Sequence, residues 1–172
     1  KIKDLKKLPK LIEQTLLIDN DIQSIASTFN EAKGSMFLGR GFSYPIALEG
    51  ALKLKELSYV HAEGYPAGEM KHGPLALIEA GLPVIVIAPK NKYFEKTISN
   101  MQEVIARGGK ILFITDNKKE SLNENIRFGL RVPHIDNLLS PFLLTLPLQM
   151  LAYHVALLKN CDVDKPRNLA KS

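Results

Sequence analysis

The sequence has 172 residues, 45% hydrophobic and 24% charged, enough for one sizeable core but cramped for two. Its formal net charge of +5 does not point to nucleic acid: Lys1, Lys3, Lys6, Lys7 and Lys10, set against Asp4, supply +4 of it, Trp is absent, and aromatics do not interleave with Arg. Ser140, Pro141, Pro147, Gln149 and His154 break the apolar run Leu138 to Leu158 short of a membrane span, no apolar signal segment is visible, and the one thiol, Cys161, suggests a reducing compartment, with the cytoplasm as default.

Residues 1–33 read as a helical N-terminal segment in which Asp19-Asn20-Asp21 ends one helix and caps the next. From Gly34 strands and helices alternate. Met36-Phe37-Leu38 is a short strand, and after Gly39-Arg40-Gly41-Phe42-Ser43 a helix starts near Tyr44-Pro45. The segment after Gly64, punctuated by Gly and Pro, reads as a loop. Val84 to Ala88 is a β-branched strand of the kind covered on both faces. A helix from Phe94 to Ala106 closes at Arg107-Gly108-Gly109. Ile111 to Ile114 and Gly129 to Ile135 are further strands, and Leu138 to Leu158 is a long apolar helix with a kink expected near Pro147. Residues 160–172 form a polar tail without periodicity. Such alternation predicts one three-layer α/β/α domain with a parallel sheet over residues 1–172.

The chemistry concentrates between Glu49 and Pro74. At about 100° per residue, Glu49, Lys53 and Glu56 fall within roughly 60° of one another, with Ala47, Leu48, Ala51, Leu52 and Leu54 expected on a buried opposite side. Such i, i+4 pairs ordinarily decorate solvated faces. A helix that directly follows the first strand, however, starts at the edge where such sheets hold ligands. A carboxylate there can move a proton between adjacent sugar carbons, and an ammonium can hold the developing charge. Gly39-x-Gly41 fails as a dinucleotide fingerprint, because Tyr44 stands where the third glycine belongs. It is either a turn that only links strand to helix or a site for a small phosphate or sugar near Ser43. His72, flanked by Gly73-Pro74, reads as exposed or functional, whereas His154 in the apolar helix reads as a packed residue. No His or Cys spacing suits a metal, so neither a metal nor a cofactor is expected.

The runs F-L-G-R-G (37–41), Y-P-I-A-L-E-G-A-L-K-L-K-E (44–56), H-A-E (61–63), G-E-M-K-H-G-P-L-A-L-I (68–78), L-P-L-Q-M-L-A-Y-H-V-A (146–156) and D-V-D-K-P-R-N-L-A-K-S (162–172) are collinear with a known pattern. The chain resembles the C-terminal part of the glutamine–fructose-6-phosphate transaminases (isomerizing), the glucosamine-6-phosphate synthases. The resemblance implies the second of two sugar isomerase (SIS) domains, with a flavodoxin-like fold. By the same resemblance, Glu56 is the base that moves a proton between C1 and C2, and Lys53 its electrostatic partner. His72 opens the sugar ring in the neighbouring subunit, which implies a homodimer. Lys171 forms an imine with open-chain fructose 6-phosphate. Ala170, Ser43 and Glu49 are candidate substrate contacts, with the tail folding over the sugar. The family's glutaminase domain and first SIS domain have no counterpart in this sequence, so it reads as a part of a longer enzyme that alone makes no ammonia and binds sugar phosphate weakly. A fructosyl-amine phosphate deglycase and a non-catalytic sugar-phosphate sensor are the alternatives, and the tail run favours the synthase.

Overall fold

In the computed structural model, residues 2–117, 126 and 128–169 are described. Two helices, α1 (Ile2–Leu16) and α2 (Asp19–Ala26), precede β1 (Gly34–Gly39), α3 (Ser43–Ser58) and β2 (His61–Pro66). Two 3₁₀ segments, Ala67–His72 and Pro74–Leu77, lead to β3 (Pro83–Ile87), α4 (Phe94–Ile105), β4 (Lys110–Thr115), β5 (Phe128–Arg131) and α5 (Ser140–Leu158). All pairings are parallel, in the order β2-β1-β3-β4-β5. That is the flavodoxin-like doubly wound order, with its switch point between β1 and β3.

The alternation of side chains along each strand builds two cores. Phe37, Ile85, Ile87, Leu112 and Ile114 face one way, under α1, α2, α3 and α5. Met36, Leu38, Val84, Val86, Ile111 and Phe113 face the other, under α4 and the first 3₁₀ segment, which adds Ala67 and Met70. The strands between these layers are therefore apolar at nearly every position, and the three-layer expectation holds.

Four local expectations change. His61–Pro66 is a strand that runs through Gly64 into the segment expected to be a loop; as an edge strand it tolerates polar residues and a terminal proline. Its Gly64 lets α3 lie close, since a β-carbon there would stand 2.9 Å from the Leu48 backbone. The last strand stops at Arg131, short of Ile135: Val132 still bonds Thr115, and then Pro133 offers no N–H. Asp19, Asn20 and Asp21 form the first turn of α2, and the cap position is Ile18, without a side-chain cap bond. On α3 the buried residues are Ser43, Ile46, Ala47, Gly50, Ala51, Leu54 and Ser58, while Leu48 and Leu52 are 43% and 47% exposed. The buried stripe centres on the side that meets β1 and α5, so those two leucines fall beyond its flank.

Helix α5 is long and apolar enough by composition to cross a membrane, despite the interruptions read in the sequence. Half of it is buried within the protein, against α1, α2 and α3, and Pro147 lies inside it without ending the helix. His154 is packed as expected; its Nε2 is 2.7 Å from Asp19 Oδ1.

Candidate active site

Lys53 is the centre of the charged stripe on α3. Its Nζ donates to Glu56 Oε2 at 2.8 Å and lies 3.9 Å from Glu49 Oε1. The bond to Glu56, more than any other influence, holds the Lys53 ammonium above the usual lysine range, which favours its charged form. All three side chains are half-buried, at the seam between the buried and solvent faces of the helix.

The C-terminal tail returns to this same helix end. Tyr59 caps α3 in the left-handed conformation, φ 60°. Its hydroxyl accepts the Arg167 backbone N–H at 2.9 Å, and the Arg167 guanidinium lies 4.1 Å over its ring. Between tail and helix lies a cleft of about 540 Å³ whose walls include Leu52, Lys55, Glu56, Arg167 and Leu169. Ala170 and Lys171 fall outside the described residues. Tyr59 and Arg167 went unread in the sequence because their contact spans 108 positions.

The position of this pair differs from the sequence expectation. Because β1 and β2 are parallel and adjacent, α3 must carry the chain from the carboxyl edge back to the amino edge. Glu56, in its last turn, stands thirteen residues from Ser43, about 20 Å along the helix. The Lys53–Glu56 pair is thus remote from the carboxyl edge, where doubly wound sheets commonly hold ligands. At the switch point of that edge the turn is tight: a β-carbon on Gly39 would meet the Ser43 carbonyl at 2.1 Å, and one on Gly41 would meet the Tyr93 ring at 2.5 Å. Ser43 is 1% exposed. The glycines there serve packing, and Ser43 is not brought to Lys53 and Glu56, whereas Glu49 is.

His72 is not brought to them either. It ends the first 3₁₀ segment, on the opposite sheet face from α3, with its side chain 76% exposed and Nε2 3.9 Å from Glu69. Beside it, Lys71 pairs with Glu103 of α4 at 3.3 Å.

Two further polar groups escaped the sequence reading. Asp116, just past β4, receives the Lys90 N–H at 2.6 Å and lies 2.6 Å from His134 Nδ1. On β2, Tyr65 donates to Glu63; this bond pushes the Tyr65 hydroxyl up to about 12 and lowers the Glu63 carboxyl. Among the described residues, no three His, Cys, Asp or Glu side chains gather as metal ligands do.

Residues 28–159 match the SIS domain family, and the chain belongs to that family. It is 53% identical over 172 residues to glutamine–fructose-6-phosphate aminotransferase (isomerizing) of Bartonella henselae, covering 99% of this chain and 28% of that protein. It is 54% identical over 168 residues to the protein of the same name from Escherichia coli K12, covering 98% and 28%. The chain thus spans just over a quarter of the length of the curated relatives it matches. Among solved structures, it superposes with a TM-score of 0.91 and 44% identity on the C-terminal domain of glucosamine-fructose-6-phosphate aminotransferase from Francisella tularensis, covering 95% of this chain and 46% of that one. A glucosamine-6-phosphate deaminase from Thermotoga maritima, 24% identical with a TM-score of 0.64 over 91% of this chain and 47% of that one, shares the fold.

Proposed function

We propose that this chain is the second isomerase domain of a glutamine–fructose-6-phosphate aminotransferase, which converts fructose 6-phosphate and glutamine to glucosamine 6-phosphate and glutamate. The observation that carries the reading is the Lys53–Glu56 pair beside the cleft walled by Arg167 and Leu169, directly before Ala170 and Lys171. In this reading the Lys171 amine condenses with the C2 carbonyl of open-chain fructose 6-phosphate, releasing water and forming an imine. Ammonia released from glutamine elsewhere in the longer protein then replaces the lysine. Glu56 takes the proton from C1 and returns it at C2, and the Lys53 ammonium stabilises the charge that develops between the two steps. Glu49 holds Lys53 from its other side. His72 opens the sugar ring of a neighbouring subunit in a homodimer, and the cytoplasm is the compartment.

The upstream SIS domain would supply most of the phosphate site. Leu48 and Leu52, exposed beside the charged stripe, suit coverage by such a domain.

The test uses the full-length protein, fructose 6-phosphate and borohydride. The expected result is a reduced adduct on Lys171, with none in Lys171→Arg; an undiminished adduct in that variant overturns the role of Lys171. Glu56→Gln is expected to retain ring opening and lose solvent exchange at C2. Wild-type exchange in that variant removes Glu56 as the base. A deglycase or a sensor has no use for the Lys171 adduct.

A further inference from the structure

We infer that Tyr59 is a positioning residue for the C-terminal tail, fixing Arg167 so that the residues after it are delivered to Lys53 and Glu56. The inference rests on the reading of Lys171 given above.

Tyr59 takes φ 60° as it closes α3, with its N–H bonded to Lys55 O at 3.2 Å. Glycine is the ordinary occupant of such a helix end, because a β-carbon in the left-handed region crowds the following carbonyl. A bulky side chain held there points to a use that the helix end itself does not require. The contacts identify the use. The Tyr59 hydroxyl accepts a main-chain N–H, that of Arg167, which fixes the backbone of the tail and not merely a long side chain. The guanidinium over the ring adds a second hold on the same residue.

The neighbouring residues convert this anchor into a direction. Pro166 is buried and its ring fixes φ. Asn168 turns the chain in the left-handed region, φ 63°. Asp162 Oδ1 accepts the N–H groups of Asp164 and Lys165, bracing the turn before them. Lys171 follows Arg167 by four positions, at most about 14 Å of chain. Whatever fixes Arg167 therefore bounds where the amine of Lys171 can stand, and Glu56 lines the same cleft as Tyr59.

A purely structural role predicts something different, and the two are separable. In the full-length enzyme, Tyr59→Phe keeps the ring and loses the acceptor. Tyr59→Gly loses both but takes the left-handed conformation without strain, so its thermal stability is expected to equal or exceed wild type. Both variants are expected to lose hydrogen-exchange protection in the peptide containing the Arg167 amide. Adduct formation at Lys171 is expected to slow by about tenfold or more in Tyr59→Gly and by less in Tyr59→Phe, with kcat falling and KM for fructose 6-phosphate little changed. Unchanged exchange at Arg167 overturns the inference, as does lost protection accompanied by wild-type adduct formation. A Tyr59→Gly enzyme that loses stability in step with activity also overturns it. Absence of the Lys171 adduct in wild type defeats the reading of Lys171 instead, and the exchange measurement then decides the anchoring on its own.

Discussion

Glu56 and His72, sixteen residues apart in sequence, belong to segments that cover opposite faces of the sheet: Glu56 to α3 and His72 to the 3₁₀ segment beyond β2. In the reaction proposed above, each has its own step, and the two reach a single sugar from two copies of the chain.

That division predicts complementation. Full-length Glu56→Gln and His72→Ala enzymes, each inactive alone, are expected to regain about a quarter of wild-type activity when coexpressed, because half the dimers are mixed and each mixed dimer holds one intact site. No recovery above the separate mutants, with mixed dimers demonstrated by tagged purification, would show that one chain supplies both residues.

The Asp19–His154 bond predicts an asymmetry. His154 is buried and Asp19 is half exposed. Asp19→Ala leaves the imidazole unsatisfied inside the protein and is expected to cost about 1–3 kcal/mol. His154→Leu replaces the ring with an apolar side chain and leaves Asp19 to water, so its cost is expected to be smaller. Urea unfolding of the chain reads both, and equal losses contradict the account.

Tyr65 and Glu63 predict a pH dependence. The Tyr65 hydroxyl, raised to about 12, is expected to be the last tyrosine to ionise in an ultraviolet titration, and Tyr65→Phe removes that phase. The raised tyrosine contributes stability below its ordinary 10.0, lost as pH rises through about 12. The lowered Glu63 contributes stability above its ordinary 4.5, lost as pH falls through its folded value. The stability difference between wild type and Tyr65→Phe is therefore expected to be flat between these ordinary values and to shrink at both ends. A difference that does not change with pH refutes the pairing.

Gly64 predicts a steric limit. In Gly64→Ala the new β-carbon meets the backbone of Leu48 at 2.9 Å and Ala47 at 3.0 Å, atoms that move only if α3 lifts from the edge strand. A loss of about 1–3 kcal/mol is expected in thermal or urea unfolding. Gly34→Ala, whose nearest contact is His61 O at 3.5 Å, serves as the tolerated comparison. Equal behaviour of the two rejects the packing argument.

Much of the fold was legible because β1, β3 and β4 lie inside the sheet with both faces covered, so Met36-Phe37-Leu38, Val84 to Ala88 and Ile111 to Ile114 read as apolar runs. β2 was not legible, since an edge strand carrying His61, Glu63 and Gly64 looks like a loop. The Glu49, Lys53 and Glu56 stripe was legible from helical spacing alone. Its place in the fold was not, because locating Glu56 requires following α3 back across the sheet. The outward turn of Leu48 and Leu52 depends on where α5 packs, and Tyr59 with Arg167, or Asp116 with His134, meet only after folding.

The hydrogen bond between Asp19 and His154 joins residues 135 positions apart, and α2 packs chiefly on the last helix of the domain. During synthesis α2, made before the sheet, must therefore wait for α5, made after it. Until α5 leaves the ribosome, Ile22 and Ile25 have no complete layer to enter, and the described strands, paired only in parallel, form no hairpin that could assemble early in its place. Nascent chains ending before Ser140 should remain sticky and dependent on chaperones.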